Sequence, residues 1–357
     1  MSDSTINSNK YCINGRFCAQ RITGVERYAY EIVSELDTMV PPDYFTLLIP
    51  KDAKNIPSLK NIKVVKKGRR AGIFWEQVLF PAYCINKNRT PICFCGVSPF
   101  ILRGISYIHD IKYIRKPEFF SIGARFWYKL MLGHTARRSK LLCTVSEFSK
   151  KELLDYYNLN SEKISVIPSA WQHMSRVGEE ESILKQLKIE PYKYYYALSS
   201  IEPNKNIRWI VETAKLNKNE EFVISGTSNK KIFGKQIFGE LPSNLIMTGY
   251  VTDREAKSLM HYSKGFIFPS WYEGFGLPPL EALAVGANSI IISDTIVMHE
   301  VYKNCGVYIN PEIPAADLSE LCKKVNIEKK KDLLLDNYSW KKSAEKLLKI
   351  INKEVCT

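Results

Sequence analysis

Short apolar runs rich in β-branched and aromatic residues alternate along this chain with stretches whose apolar residues recur every three or four positions. Residues 44–49, 62–65, 105–109, 141–145 and 164–167 predict strands in the first half. Residues 194–199, 222–225, 245–248, 265–269 and 289–293 predict strands in the second. Between them, residues 25–36 and 207–214 carry the amphipathic period of helices. Such alternation predicts an α/β protein whose parallel sheets are covered on both faces. The polar stretch Ser175-Arg176-Val177-Gly178-Glu179-Glu180-Glu181 interrupts it and predicts a linker between two domains. Neither half contains G-x-G-x-x-G, which counts against a dinucleotide dehydrogenase.

One place in this pattern concentrates candidate chemistry. After the apolar run at 265–269 comes Trp271-Tyr272-Glu273-Gly274-Phe275-Gly276-Leu277-Pro278-Pro279-Leu280-Glu281. The two glycines allow a sharp turn and a close backbone approach to a ligand. Pro278 and Pro279 suit the first positions of a helix, where no N–H is required. Glu273 is thereby expected at the end of a strand and Glu281 in the first turn of a helix, both at one mouth. Such a helix start favours an anion, and a sugar diphosphate fits.

The string with glutamates eight positions apart, followed by Ala287-Asn288-Ser289-Ile290-Ile291-Ile292-Ser293-Asp294, resembles the signature of glycosyltransferase family 4. Those are retaining, nucleotide-sugar-dependent enzymes of the GT-B architecture. Other matches spread the resemblance over nearly the whole chain: Arg21-Ile22-Thr23-Gly24-Val25-Glu26, Ile108-His109-Asp110, Thr144-Val145-Ser146-Glu147, Val166-Ile167-Pro168-Ser169, Ile201-Glu202-Pro203-Asn204-Lys205-Asn206 and Thr248-Gly249-Tyr250-Val251. The tail from Tyr338-Ser339-Trp340 resembles the family's last helix, which returns to the N-terminal domain. The resemblance implies two Rossmann-like domains facing across a cleft. One is an acceptor domain over 1–175, joined by the helix at 340–357; the other is a nucleotide-sugar domain over 182–338.

It also implies roles. His109, Lys205 and Glu273 would be catalytic; Gly24, Lys205, Tyr250, Val251, Glu273, Gly274, Phe275, Gly276 and Glu281 would bind the donor. His109 would lie beside the transferred sugar, with Asp110 orienting it or capping the next turn. Lys205 would face the diphosphate, Glu273 the sugar hydroxyls and Glu281 the ribose hydroxyls, and the backbone at Tyr250 and Val251 would meet the base. Ser146 reads as a helix cap, because no His–Asp pairing is evident for it. Asn204 departs from the family, where many relatives have arginine, so phosphate binding would rest more on Lys205 and backbone amides. No aspartate-x-aspartate metal motif is present, and no metal or cofactor is expected.

Composition sets the setting. The 357 residues allow two domains, and a hydrophobic content of 45% with 25% charged residues is that of a globular protein. The first ten residues show no secretory h-region, and Glu76 breaks the best apolar run. Nine cysteines without metal-ligand spacing read as reduced thiols in a cytoplasmic protein.

The net charge of +14 is uneven: residues 51–150 hold 20 Lys and Arg against 5 Asp and Glu. Lys66, Lys67, Arg69 and Arg70 precede Phe74 and Trp75, and Arg125 and Lys129 flank Phe126 and Trp127. That mixture suits an anionic membrane surface, or else helices that bury their rings and expose their bases.

The expected activity is transfer of a hexose, with retention, from a nucleoside diphosphate sugar to a carbohydrate acceptor. By analogy the acceptor is a lipid-linked oligosaccharide in O-antigen, capsule or other surface polysaccharide synthesis, and the enzyme is peripheral on the inner membrane face. Two alternatives are a sugar-nucleotide epimerase of the same fold, against which the Glu273–Glu281 pattern argues, and a basic nucleic-acid-binding protein. The latter would need a reading motif that the sequence lacks, so no nucleic acid is expected.

Overall fold

A computed structural model describes residues 11–200, 202–226, 240–323 and 330–355. Residues 1–10, where no secretory leader is expected, and Ile201 of the Ile201–Asn206 motif lie outside the described residues. The chain forms two compact units, one of residues 1–169 with 340–357 and one of residues 170–339.

Unit 1 is built on a seven-stranded parallel sheet: β1 (Tyr11–Asn14), β2 (Phe45–Ile49), β3 (Lys63–Lys66), β4 (Thr90–Cys93), β5 (Ile105–Tyr107), β6 (Leu141–Thr144) and β7 (Ile164–Val166). They run in the order β3-β2-β1-β4-β5-β6-β7. Every residue of β1, β2 and β6 is buried, as parallel strands covered on both faces must be. The edge strand β3 instead exposes Lys63 and Lys66, charges that discourage further strand pairing. Two of these strands are not legible in the alternation. β1 has four residues and ends in Asn14, which donates to Glu76 Oε1 at 3.0 Å. β4 contains Pro91, which ordinarily argues against an inner strand. Here it is the second residue of the strand, aligned with Cys12 of β1. A Cβ at Gly104 would come within 2.1 Å of the Pro91 carbonyl oxygen, so glycine permits the approach of β5.

The helix Trp340–Val355 completes unit 1. Trp340 is fully buried, with its ring edge-on to Tyr28 at 5.6 Å. Ser343 Oγ donates to Pro168 O at 2.8 Å, and Tyr44 Oη to Asn352 Oδ1 at 3.0 Å.

Unit 2 holds β8 (Tyr194–Leu198), β9 (Glu221–Ser225), β10 (Leu245–Gly249), β11 (Gly265–Phe268), β12 (Ile290–Ser293) and β13 (Val307–Ile309). All six are parallel, in the order β10-β9-β8-β11-β12-β13. Its core unites Tyr195, Trp209, Ile210, Phe222, Ile267 and Ile291. The helix Ile207–Leu216 contributes Ile207, Trp209, Ile210, Val211 and Ala214 to that core. The polar residues 175–181 belong to this unit. Both sheets reverse direction of growth at their first strand, between β1 and β4 and between β8 and β11. In open parallel sheets ligands bind beyond the carboxyl ends of the strands at such a point.

Candidate functional site

In unit 2 the loops leaving β8 and β11 meet at this switch point. The loop after β8 forms a tight turn, Pro203–Lys205, closed by Asn206 in a left-handed conformation (φ 54°). Asparagine tolerates that region because its side chain can bond locally. Here Asn206 Nδ2 donates to Pro269 O at 3.1 Å and Pro311 O at 2.8 Å, and Trp271 N donates to Asn204 O at 2.8 Å. The loops after β8 and β11 are thus stitched together, and the stitching presents Lys205 to Glu273. Lys205 Nζ donates to Glu273 Oε1 at 2.6 Å and lies 5.3 Å from the centre of the Phe268 ring. Asn204 is buried, and among the described residues neither of its side-chain polar atoms has a hydrogen-bond partner.

The turn after Glu273 leads into the helix Leu277–Ala284. Gly276 has φ +87°, a conformation that residues with a side chain rarely adopt, so the backbone requires glycine, while the nearest atom to an added Cβ is the movable end of Met298. Tyr302 Oη donates to the Gly276 carbonyl, which fixes the turn from the other side. Gly274 and Phe275 are buried in the same turn, and the Phe275 ring meets Tyr338 edge-on at 5.3 Å.

Two expectations change here. The helix begins at Leu277, so Glu281 is its fifth residue and lies beyond the first turn. Of the first four helical residues, Pro278 and Pro279 have no N–H, so only Leu277 and Leu280 bring a backbone donor. Glu281 has its own hydrogen-bond partner, different from that of Glu273. Its Oε1 lies 2.8 Å from Nε2 of His173, and both residues are buried. Nothing in the sequence points to His173 as the partner of Glu281, since it follows Trp171 and Gln172 in a segment with no strand or helix period.

Tyr250 and Val251 follow β10 on the same carboxyl edge, Tyr250 exposed and Val251 buried. Gly249 turns the chain there with φ +79°, and Thr252 with Glu255 forms the capping box of the next helix.

In unit 1, Gly24 is the first residue of the helix Gly24–Met39, which Thr23 and Glu26 cap reciprocally. A Cβ at Gly24 would meet nothing within 4 Å, so packing does not demand the glycine. His109 follows β5 with Nε2 at 2.8 Å from Phe94 O, the geometry of an Nε2–H donor. Its ring stands edge-on to Tyr28 at 5.0 Å. Burial holds its pKa below the ordinary imidazole value, so the ring is neutral at pH 7. Asp110 Oδ1 accepts from Lys112 N at 2.9 Å and so caps the next turn. Ser146 accepts from Ser149 N at 3.0 Å, also as a cap.

At the end of β1, Asn14 and Arg16 converge on the buried Glu76, Arg16 Nη1 lying 2.6 Å from Glu76 Oε2. Burial raises the Glu76 pKa despite these partners. Sequence alone showed Glu76 only as a break in an apolar run. Trp75 is likewise not at the surface: it is buried, donates Nε1 to Lys67 O at 2.7 Å and stacks on Phe80. Trp127 is half-buried.

The exposed apolar residues nearby are others. Ile122, Phe126 and Leu130, at helical spacing along Ile122–Arg138, are 82%, 71% and 49% exposed, with Phe74 and Ile101 each at 66%. Arg125 and Lys129 are exposed on the same helix. Among the described residues, no helix is long and apolar enough to cross a membrane, no group of three His, Cys, Asp or Glu side chains could hold a metal ion, and the cysteines are free thiols.

The family model described as "Glycosyl transferases group 1" matches residues 179–325, which contain Lys205, Glu273 and Glu281. An O-antigen chain mannosyltransferase from Salmonella typhimurium is 30% identical over 209 residues. That match covers 57% of this chain and 56% of the relative, little more than half of either. O-antigen chain mannosyltransferase B from Escherichia coli is 26% identical over 81% of this chain and 84% of its own length. Among solved structures, Anabaena HepE in complex with UDP and glucose superposes with a TM-score of 0.71 at 13% identity, over 96% of this chain and 99% of that one. The structure has the GT-B fold, and the family model and both relatives carry glycosyltransferase names.

Proposed function

We propose that this chain is a retaining, family 4 glycosyltransferase that moves a hexosyl group from a nucleoside diphosphate sugar to a hydroxyl of a carbohydrate acceptor in surface polysaccharide synthesis. One observation carries the reading: the Lys205–Glu273 pair at the switch point of the unit 2 sheet, inside the segment that matches the group 1 model. In the reaction the bond from the anomeric carbon to the β-phosphate oxygen breaks, and its electron pair goes to the leaving diphosphate. The acceptor hydroxyl bonds to the oxocarbenium-like carbon on the same face, and its proton passes to the leaving phosphate oxygen. Lys205 stabilises the charge that grows on the diphosphate, Glu273 holds sugar hydroxyls, and Glu281 accepts from the ribose hydroxyls. The backbone at Tyr250 and Val251 meets the base. Gly24 leaves open space for an approaching ligand at the start of its helix, and His109 serves as a neutral hydrogen-bonding ring beside the sugar.

The names of the two mannosyltransferase relatives make mannose the first sugar to try and a lipid-linked saccharide the first acceptor. The exposed stripe Ile122, Phe126 and Leu130, flanked by Arg125 and Lys129, supports attachment to an anionic membrane without a spanning helix. Thermal stabilisation by GDP-, UDP- and dTDP-sugars tests the donor reading, since a donor at 100 times its Kd adds about 2.7 kcal/mol. The proposal fails if none of them stabilises the protein and none is consumed with any saccharide acceptor.

A further inference from the structure

His173 lies on the segment that opens unit 2, and its neighbours are tied down. Trp171 Nε1 donates to Leu335 O at 3.0 Å, and Gln172 Nε2 donates to Tyr338 O at 2.7 Å. The imidazole is 3% exposed, and Nε2 stands 2.8 Å from Oε1 of Glu281. An Nε2–H tautomer donates to that carboxylate oxygen. Glu281 is itself fixed in the helix Leu277–Ala284, its carbonyl accepting from Val285 N at 3.0 Å.

A glutamate carboxylate rotates broadly about its last torsion, and a ligand that needs one orientation must bear the cost of selecting it. A donor on Oε1 removes that freedom in advance and leaves Oε2 to meet a ligand hydroxyl. The arrangement is the one by which an outer partner orients a ligating side chain.

We propose that His173 is a positioning residue for Glu281: it locks the carboxylate so that the site takes the vicinal hydroxyls of a nucleoside diphosphate's ribose and rejects 2′-deoxynucleotides. This rests on the reading of Glu281 as the ribose-binding residue. The rejection follows because a fixed carboxylate that loses one hydroxyl donor cannot turn to find another, and a buried acceptor left unmet is costly. A carboxylate free to rotate would recover a partner and lose the discrimination.

The test measures Kd for UDP, 2′-deoxy-UDP, GDP and 2′-deoxy-GDP on the full chain, by calorimetry. The variants are His173→Phe, which keeps a ring without the donor, His173→Gln, which keeps an N–H donor, and Glu281→Gln. The parent is expected to prefer one ribonucleotide over its deoxy form by roughly 10–100-fold, the scale of a hydrogen bond to a charged group. His173→Phe should bring that ratio to within about threefold, chiefly by weakening the ribonucleotide, and should raise donor KM more than it lowers kcat. His173→Gln should restore most of the preference, which a merely structural role would not require. His173→Asn, too short to reach, replaces the Phe variant if that one does not fold. The inference is overturned if the donor-less variant keeps the parental ratio while Glu281→Gln loses it. If Glu281→Gln also keeps the ratio, the ribose role of Glu281 falls, and the inference with it. A parent that binds neither UDP nor GDP overturns the donor-site reading itself.

Discussion

Removing the Lys205 ammonium should separate the structural share of its contact with Glu273 from the chemical share. The pair is close, 2.6 Å, and mostly shielded, with side chains 19% and 13% exposed. Coulomb's law at an effective dielectric of 20 gives a gross attraction of about 6 kcal/mol at that separation. Desolvation of both ions offsets most of it. What remains is about 1.5–3 kcal/mol, the scale of a hydrogen bond between charged groups. Lys205→Met should therefore lower stability in denaturant by about that amount, and Lys205→Met/Glu273→Gln together by less than the sum.

Catalysis should respond differently. The leaving diphosphate gains charge as the bond breaks, so losing one stabiliser should cost at least ~100-fold in kcat/KM, or about 2.7 kcal/mol. The sign of product binding distinguishes the partners. Lys205→Met should weaken binding of the free nucleoside diphosphate. Glu273→Gln releases the ammonium from its carboxylate, and should leave that binding unchanged or tighter even as kcat falls. Calorimetry with the diphosphate, beside steady-state kinetics, reads both. Equal weakening by the two variants, or kinetics within about threefold of the parent for Lys205→Met, would refute the reasoning and leave a purely structural ion pair.

Glu281→Gln should mostly raise donor KM while leaving kcat within a few-fold, because ribose contacts act alike in ground and transition states; a fall in kcat with unchanged KM would contradict this. Phe126→Glu with Leu130→Glu should abolish flotation with anionic vesicles at low salt and leave transfer to a soluble acceptor intact; a parent that ignores such vesicles reduces the stripe to an ordinary surface. The depressed His109 pKa makes the neutral ring the folded form, so its contribution is present above the ordinary imidazole value near 6.5 and is lost as pH falls through the lower folded value. The parent should thus lose more stability between pH 7 and 5.5 than His109→Gln does, and parallel pH profiles would show that burial of the ring does not matter.

Periodicity shows most of the two sheets, because covered parallel strands must be apolar throughout, as in Ile290-Ile291-Ile292. It misses β1 and β4, where an asparagine and a proline stand inside strands for reasons that involve other parts of the chain: Asn14 serves Glu76, and Pro91 lies against Gly104. The short β13 escapes because three residues carry no period. At the site, the turn chemistry of Gly276 and the two prolines is local, and it can be read. The partners are not local. Lys205 and Glu273 meet across 68 positions of sequence, and His173 and Glu281 across 108, so their pairing depends on the sheet order that brings distant loops together. Surface aromatics are a third kind of failure. Trp75 and Phe74 are adjacent, yet the helical turn buries one and exposes the other.

The helix Trp340–Val355 gives unit 1 a peculiar birth order. Its buried Trp340, which lies against Tyr28, is translated after all of unit 2. At 5–20 residues per second, roughly 10–30 s pass on the ribosome between the emergence of residue 169 and of Trp340. Throughout that interval the nascent N-terminal half has an unfilled apolar seam along the helix Gly24–Met39, where an aggregation partner or a chaperone can attach. Truncation before residue 340 would make that interval permanent, so a nonsense mutation near the end of the gene would damage the half of the protein that was made first.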